Sequence, residues 1–286
     1  MGLLWIVSFI WAFSFPLIKG NLGGLDAAFV SLVRLSLSLL VFAPLLRLRA
    51  VPRGLAPALV AVGGVQFGLM YVLYIESFSR LPAHTVVLLT TTTPLLVALL
   101  DELLDRRVRM RTLCAALLAV AAGAVIQYPV QPLRASLVGV ALVQGSNVAF
   151  AAGQVAYRRL AARAGQWDDA RVFALLYLGA VLVSACCAVF RRQWMPATLS
   201  GAQMMTLVYL GVVASGIGFF LWNRGARQVG GAALAVMNNV KIPLGIIASL
   251  ALLHERTDLA RLAAGMAFMA CALALCARGR QGSRQC

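Results

Sequence analysis

Acidic residues are scarce in this chain: nine Asp and Glu among 286 residues, against 25 Lys and Arg, with only two histidines. The nine (Asp26, Glu76, Asp101, Glu102, Asp105, Asp168, Asp169, Glu255 and Asp258) sit between or near the ends of the hydrophobic runs, so none is placed for paired-carboxylate chemistry at membrane depth. His84 and His254 are far apart and no HExxH motif occurs, which removes the usual metal-dependent hydrolases. Six cysteines lack metal-ligand spacing and read as small buried hydrophobes. No cofactor, metal or catalytic residue is therefore expected, and a membrane-embedded enzyme is the weaker alternative.

Charge of any kind is also rare, at 12% of residues, whereas 62% are hydrophobic and the mean hydropathy is +0.88. A soluble domain of this size does not have that composition. Apolar runs recur along the chain, each near the roughly 20 residues a helix needs to cross about 30 Å of hydrocarbon. Ten spans are expected, at approximately 3–18, 27–46, 55–75, 82–104, 112–128, 135–157, 170–189, 202–221, 232–253 and 258–276. The first is expected to be retained, because the run from Trp11 to Pro16 offers no small-residue cleavage site.

A net charge of +16 raises the question of a nucleic-acid partner, but the basic residues follow the membrane instead. With the N-terminus in the cytoplasm, sixteen fall in inner loops and the tail. Seven (Lys19, Arg80, Arg134, Arg191, Arg192, Arg256 and Arg261) fall outside. That bias predicts a multi-pass protein of a bacterial inner membrane with both termini cytoplasmic and the bilayer, not nucleic acid, as its partner.

Two halves match at an offset of 148 to 150 residues: Gly63 and Gly68 with Gly211 and Gly216, Tyr71 and Tyr74 with Phe219 and Trp222, Pro94 with Pro243, and Asp105-Arg106 with Glu255-Arg256. Residues 1–130 and 131–286 then form two five-span repeats. Five is odd, so the second enters the membrane inverted. The expected fold is all-α, ten transmembrane helices in two inverted five-helix repeats around a central cavity, with substrate bound near the midplane.

The candidate site residues follow from depth. Thr90 and Thr91 precede Pro94, and Asn238, Asn239 and Lys241 precede Pro243, so each repeat carries a polar run before a proline inside a span. Pro94, Pro243 and the early Pro16 are expected hinges or kinks, since proline removes a backbone donor. Lys241 lies too deep to reach water without a cavity. It meets either a substrate carboxylate or the carbonyls freed by Pro243.

Phe67, Tyr71, Tyr74 and Phe78 share one helical face, and Phe219 and Trp222 form the counterpart wall, so the two could sandwich an apolar or planar group. Asn147 and Trp11 add an amide and an indole. Arg34 lies about 10 Å inside its span, a depth from which a long side chain can snorkel, and is expected to be structural.

These residues carry a family resemblance over nearly the whole chain. The WAFSFPLIK run from Trp11 to Lys19, Arg34, the tyrosines of the third span, TTTTPLLVALLDELLDRRV from Thr90 and NNVKIPLGIIASLALLHERTD from Asn238 resemble the EamA family of the drug/metabolite transporter superfamily. Within it the chain looks most like YddG-type exporters of aromatic amino acids. One departure is Asp105, where the family commonly has glutamate. The resemblance implies a ten-helix bundle exporting hydrophobic or aromatic amino acids and related metabolites by alternating access. Downhill, uncoupled export fits the lack of a central carboxylate. Lys241 would equally suit another small organic anion such as a phosphorylated metabolite.

Overall fold

The computed structural model describes residues 1–22, 24–51, 54–81, 83–106, 109–127, 136–163, 167–191, 198–253 and 258–282. Ten helical segments follow one another: α1 (Gly2–Asn21), α2 (Ala27–Phe42), α3 (Leu55–Ser77), α4, α5 (Met110–Gln127), α6 (Leu137–Arg163), α7 (Asp169–Arg191), α8 (Gly201–Ala226), α9 (Gly231–Leu253) and α10 (Leu259–Gly282). The fourth is two pieces, α4a (Ala83–Thr90) and α4b (Thr93–Asp105). Six of the ten are long and apolar enough to cross a membrane on composition alone, among the described residues. The protein is an all-helical, polytopic membrane protein, and the ten expected spans fall on these ten segments.

The differences from expectation lie at ends and at breaks. α6 runs on to Arg163, so Arg158 and Arg159 lie on its last turns rather than in a loop. The polar run before Pro94 breaks its helix. Proline cannot donate to the carbonyl four residues back, and Thr91 and Thr92 form a turn there. α9 instead continues through Pro243. The third proline, Pro16, falls within α1 at a position whose side chain lies outside the described residues, as do Glu255-Arg256 of the repeat.

Helix ends are capped where the chain provides acceptors. Asp26 takes the Phe29 N–H at 2.9 Å at the start of α2, and Ser200 and Gln203 form a reciprocal capping box at the start of α8. Arg106 turns left-handed, φ 51°, to end α4b.

Helix partners exchange between the two halves. α3 packs on α7 as α8 packs on α2; α1 packs on α9 as α6 packs on α4b; α5 and α10 pair with each other. α3 and α8 also carry π-helical stretches at matching places, Gly64–Leu69 and Tyr209–Ile217. Small residues allow the close approaches. A Cβ at Gly179 would sit 1.8 Å from the Val60 carbonyl oxygen, and one at Gly63 would sit 1.9 Å from that of Leu176, so α3 and α7 touch backbone to backbone.

Candidate functional site

Irregular backbone at membrane depth must find partners for its freed carbonyls, and the partners define the site. At the α4 break the Thr93 hydroxyl donates to the Thr90 carbonyl at 2.7 Å. Asn239 Nδ2 donates to the Thr91 carbonyl and Asn147 Nδ2 to that of Leu89, at 2.9 and 3.0 Å. In the π-helical stretch of α8, the carbonyl of Gly211 accepts from Ser38 and that of Ala214 from the Trp11 indole; those of Ser215 and Gly216 accept from Tyr177. A broken strip in each half is thus closed by side chains from other helices.

Between these strips lies a cavity enclosing ≈ 740 Å³ of space free of protein atoms, including space that opens to solvent. Trp11, Tyr71, Phe150 and Phe219 form an aromatic wall, and Thr90, Ser146, Asn147 and Asn238 supply hydroxyls and amides. Two cations, Arg34 and Lys241, complete the lining, and no Asp or Glu is among the described lining residues.

Arg34 corrects the sequence reading. Its side chain does not snorkel outward: the residue is 3% exposed and points into the bundle. Nη2 donates to the Tyr71 hydroxyl at 2.6 Å and to Ser215 Oγ at 3.0 Å, and the guanidinium lies 4.4 Å from the Tyr71 ring centroid. Nη1 makes no hydrogen bond among the described residues. Snorkelling fails because the π-helical stretch of α8 brings Ser215 to the guanidinium, which a straight reading of α2 does not reveal. A signal was available in α2, where Ser31, Arg34 and Ser38 recur at i, i+3 and i+7 on one face and are all buried.

Lys241 lies with Nζ 5.1 Å from the Trp11 ring centroid. No carboxylate lies within ion-pair distance of Lys241 or Arg34 among the described residues; the ion pairs seen there lie elsewhere, near helix ends and connections. Asn238 is buried at the cavity wall with both amide atoms unpaired among the described residues. Buried polar groups seldom go without partners.

Of the eleven substrate-contact residues expected from sequence, eight line the cavity: Trp11, Tyr71, Tyr74, Thr90, Asn147, Phe219, Asn238 and Lys241. Three do not. Thr91 packs against Gly123 and donates to the Leu88 carbonyl. Asn239 ties α9 to the α4 break and to Ala119 of α5. Trp222 is fully buried behind Trp11, ring centroids 5.0 Å apart. The Phe67 to Phe78 stripe also splits: Phe67 stacks on Tyr177 and Phe219 in the core, while Phe78 meets Tyr74 edge-on. Arg34, Ser14, Ile18, Met70, Thr93, Ser146 and Phe150 line the cavity without having been expected there.

Comparison with known proteins adds identity to this geometry. The model of the EamA-like transporter family matches residues 1–128 and again 137–277. A Pseudomonas aeruginosa protein named "probable biotin transporter" is 39% identical over 288 residues, covering 99% of this chain and 100% of that protein. Proteins of Salmonella typhimurium and Escherichia coli K12 named "biotin transporter" are 40% identical over 260 residues, covering 90% of this chain and 86% of theirs. A solved crystal structure superposes with TM-score 0.80 over 96% of both chains at 20% identity, which speaks to the fold alone.

Proposed function

The chain belongs to the EamA-like transporter family, a small-metabolite transporter and not an enzyme, and from that premise we propose that it carries biotin or a closely similar carboxylate across a bacterial inner membrane. The observation that carries this reading is the charge of the cavity: two cations, Arg34 buried and Lys241 half-buried, and no acid among the described lining residues. An uncompensated charge at this depth is costly and calls for a partner. Biotin brings one carboxylate and no cation. Its apolar chain and fused rings suit the aromatic wall, and its cyclic urea offers donors and an acceptor to Asn238, Asn147 and the hydroxyls.

The same charge argument bears on the aromatic amino acids suggested by the sequence. Their rings suit Trp11, Tyr71, Phe150 and Phe219, but their α-ammonium would face Arg34 and Lys241 with no carboxylate to meet it. Export of aromatic amino acids is thus the second reading, favoured by the aromatic wall and opposed by the cations. A phosphorylated metabolite would satisfy the cations but leave the aromatic wall without a partner.

With both termini cytoplasmic, Ile18, Arg34, Tyr74 and Ser146 fall in the outer halves of their helices and Asn238 and Phe219 in the inner halves, so the cavity lies across the midplane. Alternating access then comes from rocking residues 1–130 against 131–286, and downhill movement fits a lining with no carboxylate among its described residues. The test is counterflow in proteoliposomes with radiolabelled biotin against biotinamide, phenylalanine, tryptophan and a sugar phosphate. Exchange by biotin alone supports the reading, and exchange driven by the amino acids but not by biotin overturns it.

A further inference from the structure

One helical turn beyond the cavity, three helices each carry a buried carboxamide. Gln66 precedes the lining residue Met70 on α3, Gln154 follows Phe150 on α6, and Asn223 follows Phe219 on α8, each by four positions. Four residues rise about 6 Å along a helix. All three side chains are completely buried, and those of Gln66 and Asn223 meet. Gln66 Nε2 donates to Asn223 Oδ1 at 3.2 Å, and the absent side chain of Gly153, next to Gln154, lets α6 press on Gln66, where a Cβ would come within 2.3 Å of the glutamine Cβ.

The layer is under-satisfied. Gln66 Oε1, both amide atoms of Gln154 and the indole Nε1 of the adjoining Trp222 have no partner among the described residues. Apolar residues would fill a permanently closed plug without that penalty, as Phe67 and Phe173 do nearby. Buried amides at this depth are tolerated where they line a path that can open to water.

We propose that Gln66, Gln154 and Asn223 form a second polar station on the substrate path, closed in this conformation, which hydrogen-bonds the neutral donors and acceptors of the substrate as the bundle opens on that side. A carboxamide presents one acceptor and two donors, so it can pair with a cyclic urea or amide in either direction. Trp222 Nε1 adds a further donor. The station lies one turn beyond the cavity, so the neutral head passes from Asn238 and Asn147 to a separate layer as the bundle opens. This rests on the reading of the chain as an alternating-access carrier of a carboxylate bearing a neutral polar head.

The experiment uses the full chain with its six cysteines replaced by serine and a single new cysteine, Gln154→Cys or, as the reference at the cavity mouth, Ile18→Cys. A membrane-impermeant methanethiosulfonate is applied to right-side-out and inverted vesicles. The station predicts that Gln154→Cys reacts only from the face opposite to the one that reaches Ile18→Cys. Reaction from the same face, or from neither while Ile18→Cys reacts, overturns it.

A second measurement keeps the natural cysteines. In Gln66→Leu/Gln154→Leu the cavity should still bind biotin while turnover falls about tenfold, a loss confined to passage rather than binding. Wild-type turnover overturns the proposal. The labelling pattern is read without substrate, so a failure of biotin to bind would sink the substrate reading and leave the station to be decided on its own.

Discussion

Asn239 Nδ2 donates to the backbone carbonyl of Thr91 at 2.9 Å, so the polar run before Pro243 closes the helix break that precedes Pro94. The same amide nitrogen reaches the Ala119 carbonyl on α5, also at 2.9 Å. Two runs that look equivalent in sequence are therefore unequal in structure: one is broken, and the other remains helical and supplies the side chain that satisfies it.

Replacing Asn239 by leucine removes both bonds and leaves two buried carbonyls short of a donor. The expected loss is about 1–3 kcal/mol of stability. Thermal unfolding in detergent checks it, and biotin affinity of the protein that remains folded should change less than about threefold, because Asn239 is not in the cavity lining.

Arg34 is held by geometry as well as charge, since one guanidinium spans Tyr71 and Ser215. Lysine cannot reproduce that fork, so Arg34→Lys should weaken biotin binding about tenfold despite the retained charge. Equilibrium binding of radiolabelled biotin decides the point: affinity equal to the wild type would reduce Arg34 to a source of positive potential.

Lys241 carries the prediction about carboxylate recognition. The unaltered chain should prefer biotin over neutral biotinamide by about tenfold, or 1.4 kcal/mol, and Lys241→Ala should shrink that preference by weakening biotin alone. Competition binding with both ligands measures it. An equal loss for the two ligands would show that Lys241 shapes the cavity without reading charge.

Close packing of α3 on α7 predicts a steep contrast between two glycines. Gly179→Ala would bring a methyl within 1.8 Å of the Val60 carbonyl oxygen, which rigid backbone cannot yield, whereas Gly201 has nothing within 4 Å. Gly179→Ala should abolish the monodisperse peak in size-exclusion chromatography, and Gly201→Ala should leave it intact.

Near one end of the bundle Asp169 gathers three donors onto one oxygen, the Tyr157 hydroxyl, the Trp167 indole and Arg227 Nη1, and so joins α6, α7 and the connection after α8. Asp169→Ala orphans all three. Arg227 keeps 24% of its side chain exposed, so the expected cost is discounted to about 2–3 kcal/mol, read as a lowered unfolding temperature.

Much of the fold was legible because the bilayer imposes a length and a polarity on every crossing. Ten apolar runs became ten helical segments, and polar residues at depth, Lys241 and Asn238 above all, stood out against that background and do line the cavity. Arg34 was misjudged because snorkelling was argued from distance along one helix, whereas its partner Ser215 is supplied by a π-helical stretch of another. Trp222 was read as a wall because it shares a face with Phe219; in the structure Trp11 stands between it and the cavity.

The amino-acid sequence by itself determined that the chain is an all-helical, polytopic membrane protein and which few polar residues sit where lipid would penalise them. It could not say which side of each helix looks inward, because hydrocarbon is as apolar as a packed interior and hydropathy is blind to the difference. Only the tertiary structure brought Arg34 from α2 and Lys241 from α9 into one cavity without a carboxylate among its described lining, and set Gln66, Gln154 and Asn223 one turn below it.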